Sequence, residues 1–306
     1  MPLVPGRELL AEARRGGYAV GAFNFNNLEF LQAIVGAAGD AGRPVFLATS
    51  EGAISYAGLE SVVALVRAAA AATPVPLCLH LDHGKNLDVI RRCIEFGYTS
   101  VMIDASDLPF EENVAKTRAV VELARPRGVS VEAELGRLVG VEDEVSVAER
   151  DAVLVDPEQA GEFVRLTGID SLAPAVGTSH GAFKFKGEPK LDFDRLRLVA
   201  ERTGGLPLVL HGASSVPDEV LARCRDAGVE VPGARGVPQD QLLEAIRLGV
   251  AKVNVDTDLR LEFVAGVRSA LNEHPSRFDP REYLGPARDA VRALVGKRIR
   301  LLSNVK

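Results

Sequence analysis

Three of the five histidines in this 306-residue chain, His83, His180 and His211, stand directly after short apolar runs, among glycines and carboxylates. Three neutral imidazoles that converge, with a fourth position open, form the ligand set of a catalytic zinc. A single histidine beside a glycine is as readily an ordinary hydrogen-bonded loop residue, but three at equivalent places favour the metal. His80 reads as a packing residue behind that site, and His274, before Pro275, as surface. Asp104 and Glu134 end two further apolar runs and suit a second metal position or the orientation of the histidines, with structural salt bridges as the plain alternative. Asp82 adjoins His83, where a carboxylate can exchange protons with a substrate held beside a metal. Glu142 falls in a long loop, and a carboxylate there becomes a competent base once substrate excludes water. Taken alone, in Gly140-Val141-Glu142-Asp143-Glu144, it reads as a solvated acid.

A second chemistry is written in small residues. Gly181, Gly212-Ala213-Ser214 and Asn254-Val255-Asp256-Thr257 follow the sixth, seventh and eighth apolar runs. Backbone N–H groups and helix N-termini at such places cradle anions, and barrels commonly hold phosphate after strands seven and eight. Lys184, Arg260 and Arg281 can add positive charge. Beside a metal, the cradle points to a phosphorylated small substrate with a carbonyl or hydroxyl for the metal to polarise.

The elements that must position these groups alternate. Strands are expected at Ala19–Phe23, Pro44–Ala48, Val75–Leu81, Ser100–Ile103, Ser130–Ala133, Ser171–Val176, Leu206–Leu210 and Val250–Val255, most of them apolar on both faces. Helical patterns lie between them, at Leu28–Ala38, Leu59–Ala71, Leu87–Phe96, Phe110–Ala124, Pro157–Thr167, Phe193–Arg202 and Pro217–Arg225, with another at Gln239–Leu248. Asp156-Pro157 starts one of them, and Gly97, Gly168, Gly204 and Gly228 follow last turns. Eight alternations are the count of a closed (β/α)8 TIM barrel, although an open doubly wound sheet also accommodates eight strands. In a barrel the polar strand ends share one mouth, which favours an enzyme. Gly136–Val155 shows no element and reads as a functional loop. Gly233–Pro238 reads as an insertion, and Leu259–Leu271 and Ala287–Leu302 as a C-terminal helical extension. The expectation is a single α/β barrel domain over 1–306.

Composition narrows the function. A net charge of −6 argues against a nucleic-acid partner. No uninterrupted apolar run reaches the length of a membrane span, and no secretory leader is evident, so a cytoplasmic protein is expected. Cys78, Cys93 and Cys224 are too few and scattered for a disulfide framework or a four-thiolate zinc site.

Taken together, His80-Leu81-Asp82-His83-Gly84, Val131-Glu132-Ala133-Glu134-Leu135-Gly136, Gly177-Thr178-Ser179-His180-Gly181, His211-Gly212-Ala213-Ser214 and Asn254-Val255-Asp256-Thr257-Asp258 resemble the motifs of class II, zinc-dependent fructose-1,6-bisphosphate aldolases. The resemblance runs in the family's order from Gly21-Ala22-Phe23-Asn24 to Asp279-Pro280-Arg281. It implies that His83, His180 and His211 hold a catalytic Zn2+, that Asp104 and Glu134 belong to a second divalent metal position, and that Asp82 is the proton donor and acceptor. It implies a dihydroxyacetone phosphate site at Gly181, Gly212–Ser214 and Asn254–Thr257. Ser50 would contact the glyceraldehyde 3-phosphate portion, Arg281 the distal phosphate, and Asn24 counts with the substrate-binding residues. Glu142 resembles the base acting at C3. A monovalent cation and a homodimer or homotetramer are usual in the family. The reaction implied is reversible cleavage of fructose 1,6-bisphosphate in glycolysis and gluconeogenesis.

Two departures stand out. Pro174 sits where the family has an aliphatic residue and marks a possible bulge before His180. Ser106-Asp107 replaces a frequent Ser-His, at a place expected to stay clear of the ligands. Rival readings remain. Tagatose 1,6-bisphosphate differs only at C4, although the Gly233–Pro238 insertion favours fructose. A Schiff-base aldolase needs an inward lysine, for which Lys252 is the candidate, read more simply as a buried structural lysine. A metal hydrolase on this fold would show His-x-His on strand one, where the chain has Phe23-Asn24-Phe25. A non-catalytic sugar-phosphate-binding barrel would need the cradle but not the histidines.

Overall fold

A computed structural model of the chain describes residues 3–137, 139–142, 145–147, 153–180, 190–231 and 234–303, with the backbone alone at 139–142, 145–147 and 179–180. In chain order it opens with α1 (Gly6–Gly16), β1 (Val20–Asn24), α2 (Leu28–Ala41), β2 (Val45–Thr49), α3 (Glu51–Ala57), α4 (Leu59–Ala72) and β3 (Leu77–Gly84). It continues with α5 (Leu87–Phe96), β4 (Ser100–Ile103), α6 (Phe110–Ala124), β5 (Ser130–Leu135), β6 (Val139–Glu142), β7 (Val145–Val147), α7 (Pro157–Thr167) and β8 (Ser171–Pro174). The rest is β9 (Ser179–His180), α8 (Phe193–Arg202), β10 (Leu208–Leu210), α9 (Asp218–Asp226), α10 (Gln239–Arg247), β11 (Val250–Val255), α11 (Thr257–Glu273) and α12 (Pro280–Ser303).

Eight parallel strands close a barrel in the order β1-β11-β10-β8-β5-β4-β3-β2. The near-continuous apolar runs follow from this, because each strand is covered on both faces. Outward residues such as Leu47, Leu79 and Leu81 meet the helices in one extended core. A smaller core fills the other side: Leu9, Leu10 and Ala13 of α1 pack on Val20, Ala22, Phe46, Cys78 and Ala251. Burying Leu10 contributes about 1.5–3 kcal/mol. This plug leaves the opposite end, where the strands finish, as the place for chemistry.

Helix starts are local and readable. Asn27 caps α2 through Phe30 N–H, Ser50 caps α3 through Ala53 N–H, and Asp156 caps α7 through Glu158 and Gln159 N–H. Among the described residues, no single helix is long and apolar enough to cross a membrane.

The structure departs from the sequence reading in several places. The stretch 136–155 is not without structure: β6 and β7 form an antiparallel hairpin, and β6 pairs in parallel with β9. Helices α1 and α3 were not expected, and β3 runs on to Gly84, past the expected end at Leu81. Pro174 makes no bulge against β5, where Leu135↔Pro174 continues a regular register. Its missing N–H falls on the other side: Leu172 N–H reaches Pro207 O, so Pro174 nitrogen faces β10 too, and β8 pairs with β10 at Leu172↔Leu208 alone. Helix α12 also starts earlier than expected and carries Pro286 within it. Glu282 O, which loses its helical donor there, accepts from Arg277 Nη1 at 3.4 Å.

Candidate active site

In a regular strand Asp82 and His83 would face opposite ways. His80 and Asp82 share the inward parity of β3, but the register against β4 shifts between Leu81 and Gly84, and His83 takes φ +46°. This bulge turns consecutive residues to one side. A left-handed, non-glycine residue costs of order 1–3 kcal/mol and is found where function fixes it. Gly84 makes the bulge possible, since a Cβ there would lie 2.6 Å from Met102 O.

His83 then meets His211, which follows β10 directly. His83 Nε2 and His211 Nδ1 are 2.9 Å apart, with the rings edge to face. Each ring's other nitrogen faces a carboxylate: His83 Nδ1 is 3.0 Å from Asp104 Oδ2, and His211 Nε2 is 2.8 Å from Glu132 Oε1. These partners place N–H on the outer nitrogens and leave both inner lone pairs pointing at each other. Two lone pairs at that distance repel unless a proton or a metal cation sits between them, and carboxylate-backed imidazoles are how proteins present metal ligands.

Charge leads to the same conclusion. Asp82, Asp104, Glu132 and Glu134 are all buried, and Lys252, fully buried, is the ammonium among them. Four buried carboxylates against one ammonium need protons or cations. Among the described residues, Glu134 Oε2 has no hydrogen-bond partner. Burial first, and then Asp104, push its carboxyl well above the usual range. His83 shows the converse: burial disfavours its cation, but Asp82 and the bond to Asp104 push it up to about 10. A divalent ion answers both needs. Ligand atoms of Asp82, His83 and His211 lie within 4.8 Å of one another, as do those of His83, Asp104 and Glu134. The residues present therefore fit one metal and a neighbouring second position.

Beneath this cluster lies a layer one step down the same strands. His80, Glu132 and Lys252 sit two residues before Asp82, Glu134 and Asn254. Lys252 Nζ donates to both Glu132 oxygens, at 3.0 and 2.8 Å, and to His80 Nε2 at 3.0 Å, while His80 Nδ1 reaches Ser100 Oγ at 2.8 Å. Burial, then Lys252, push His80 down to about 3, so the ring is neutral. Lys252 is thus committed to an ion pair and presents no exposed amine for a Schiff base.

Asp82 is clamped as a carboxylate. Asn24 Nδ2 donates to Oδ2 at 2.9 Å and Asn254 Nδ2 to Oδ1 at 3.0 Å. Burial raises its pKa, but His83, then His211, outweigh this and hold it well below the usual range. Among the described residues, the amide oxygens of Asn24 and Asn254 are buried without a partner, which leaves acceptors for a substrate hydroxyl.

The two small-residue segments adjoin this clamp. Ser214 Oγ accepts from Asp256 N–H at 3.3 Å, tying Gly212–Ser214 to the stretch from Asn254 through Val255 and Asp256 to Thr257. Arg260 pairs with Asp256 at 2.8 Å. Ser50 is buried at the end of β2.

Arg281, in the first turn of α12, is exposed and paired with Asp279. Gly181 and Lys184 lie outside the described residues. For His180 and Glu142 the backbone is described: β6 and β9 pair at Gly140↔His180, which sets the Glu142 strand beside the third histidine. Ser106, expected to stay clear of the ligands, donates to Asp104 Oδ1 at 2.8 Å, because Asp104 closes an Asx turn over it. The sequence reading gave no role to Glu132, although its spacing from Glu134 puts both on one face of β5.

A (β/α)8 barrel with titratable and metal-ligating side chains gathered at its strand ends is the framework of an enzyme. The model of the family "Fructose-bisphosphate aldolase class-II" matches residues 4–230 and 231–306. Fructose-bisphosphate aldolases of Helicobacter pylori and Thermus caldophilus are each 51% identical to the chain over 303 residues, covering 99% of it and 98% and 99% of their own lengths. The crystal structure of the YdjI aldolase from Escherichia coli K12 superposes with a TM-score of 0.80 at 30% identity, over 98% of this chain and 97% of that one. The chain belongs to the class II fructose-bisphosphate aldolase family.

Proposed function

We propose that the chain cleaves fructose 1,6-bisphosphate reversibly to dihydroxyacetone phosphate and glyceraldehyde 3-phosphate, with zinc held by His83, His180 and His211. Asp104 and Glu134 would serve a second metal position. Zinc bound there supplies Lewis-acid polarisation of the ketose carbonyl. Asp82 takes the proton of the C4 hydroxyl, the oxygen's electron pair becomes the new carbonyl, and the C3–C4 bond breaks with its electron pair left on C3 and spread into the C2 carbonyl. Glu142 delivers a proton to C3, and the same steps reversed give condensation. Gly181, Gly212–Ser214 and Asn254–Thr257 hold one phosphate, so that binding energy far from the reacting bond fixes its position. Ser50 and Arg281 serve the other end of the sugar.

The observation that carries this reading is the convergence of Asp82, His83 and His211 on one point, with Asp82 held in place by two asparagine amides. The test is His211→Ala in an assay that couples dihydroxyacetone phosphate to NADH oxidation. The folded variant should lose bound metal and cleavage together. Near wild-type turnover in that variant would overturn the assignment.

A further inference from the structure

The last aspartate of the Asn254–Asp258 motif does not face the cluster. Asp258 is completely buried in the first turn of α11, with Oδ1 accepting Val216 N–H at 2.9 Å and Oδ2 accepting Arg298 Nη2 at 2.8 Å. Arg298, in α12 and itself buried, also donates to Ser215 Oγ. Val216 takes φ +41°. A β-branched residue in the left-handed region is a true outlier and persists only where its surroundings over-determine it. It follows the anion loop Gly212–Ser214 by two residues, and Ser214 is the residue that bonds Asp256. Residues from α11 and α12 therefore grip a turn whose backbone resists its own conformation.

A buried ion pair is weak as a source of stability, because desolvation offsets most of its attraction. Its consequence here is conformational. We propose that Asp258 and Arg298 are positioning residues that hold the Ser215–Val216 turn, and through it the Gly212–Ser214 loop, in the shape that receives a substrate phosphate. The inference rests on the reading of Gly212–Ser214 as a phosphate site. Neither residue touches substrate; both act through the turn.

The experiment uses the metal-loaded enzyme and inorganic phosphate as a competitive probe. Arg298→Met should raise the KM for fructose 1,6-bisphosphate and the inhibition constant of phosphate together by roughly ten-fold, the order that one strained backbone conformation commands. Bound metal per chain should not change, and kcat should change less than KM. Val216→Gly, added to Arg298→Met, should recover most of both losses, because glycine adopts a positive φ without help. A merely structural pair would not be rescued by a glycine, so failure of that rescue overturns the proposal. If Arg298→Met does not fold, Asp258→Asn with Arg298→Met removes both charges together, and the same readings apply. Phosphate that competes equally well in wild type and variant overturns the positioning role alone. Phosphate that fails to compete in the wild type overturns the phosphate-site reading, and the proposal with it.

Discussion

Glu132 Oε1 stands 2.8 Å from His211 Nε2, on the side of the ring away from His83, and the same carboxylate accepts from Lys252 at both oxygens and from Ser171 Oγ at 3.4 Å. One buried glutamate thus fixes which nitrogen of His211 carries the proton, while Lys252 fixes the glutamate. Glu132→Gln removes the charge and offers an amide N–H to a ring that needs an acceptor. Metal affinity should fall about 10–100-fold, the usual cost of losing such a partner. Competition with a chelating dye checks this, and unchanged affinity would mean that Glu132 only packs.

Glu134 makes a prediction of opposite sign. Its pKa in the metal-free protein is raised by burial and then by Asp104. A group raised on folding contributes its full stability below its unfolded pKa and loses it as pH rises, because the folded state must then ionise a buried acid. Glu134→Gln imitates the protonated form. The metal-free variant should melt about 2–4 °C higher than metal-free wild type at pH 8, the shift of roughly 1 kcal/mol in a chain this large. The gap should close as pH falls toward the ordinary glutamate range. Thermal melts in chelator across that span read the sign directly, and a variant that melts lower at pH 8 contradicts it.

Asp82→Asn keeps the shape of a residue held by Asn24 and Asn254 but cannot accept the C4 proton. Turnover should drop about 10²–10⁴-fold, with metal content near that of wild type. Equal losses of metal and turnover would make Asp82 a ligand rather than a proton carrier.

Gly236 packs against the backbone of the anion loop: a Cβ there would lie 2.1 Å from Ser214 O and 2.4 Å from Ser215 C. Backbone cannot step aside as a side chain does. Gly236→Ala should destabilise by about 1–3 kcal/mol and raise KM more than it lowers kcat. A urea melt with steady-state kinetics tests both, and a neutral substitution would place the loop elsewhere.

Legibility followed how local each cause was. Asp82, Asp104 and Glu134 were readable because strand ends in a barrel share a mouth. The (β/α)8 count survived because apolar strands and capped helices are written in short stretches such as Asp156-Pro157. His83 is readable as a site residue but not in its geometry, since the turn that brings it beside Asp82 depends on Gly84 lying against Met102 O in the next strand. Lys252 reads from the sequence as a buried structural lysine and Glu132 has no partner there, because only the closed barrel sets the two 2.8 Å apart. Asp258 and Arg298 are joined only by tertiary packing. The β6–β7 hairpin escaped notice because Asp143-Glu144 between its strands carries no glycine or asparagine to announce a turn.

The most direct test is a coupled cleavage assay on fructose 1,6-bisphosphate and tagatose 1,6-bisphosphate, run before chelation, after EDTA, and after zinc is returned. The prediction is cleavage selective for the fructose sugar, lost to EDTA and restored by zinc. Preference for the tagatose sugar would overturn the substrate, and cleavage that resists EDTA would overturn the metal. No cleavage of either sugar would contradict the central claim and leave a phosphosugar-binding barrel.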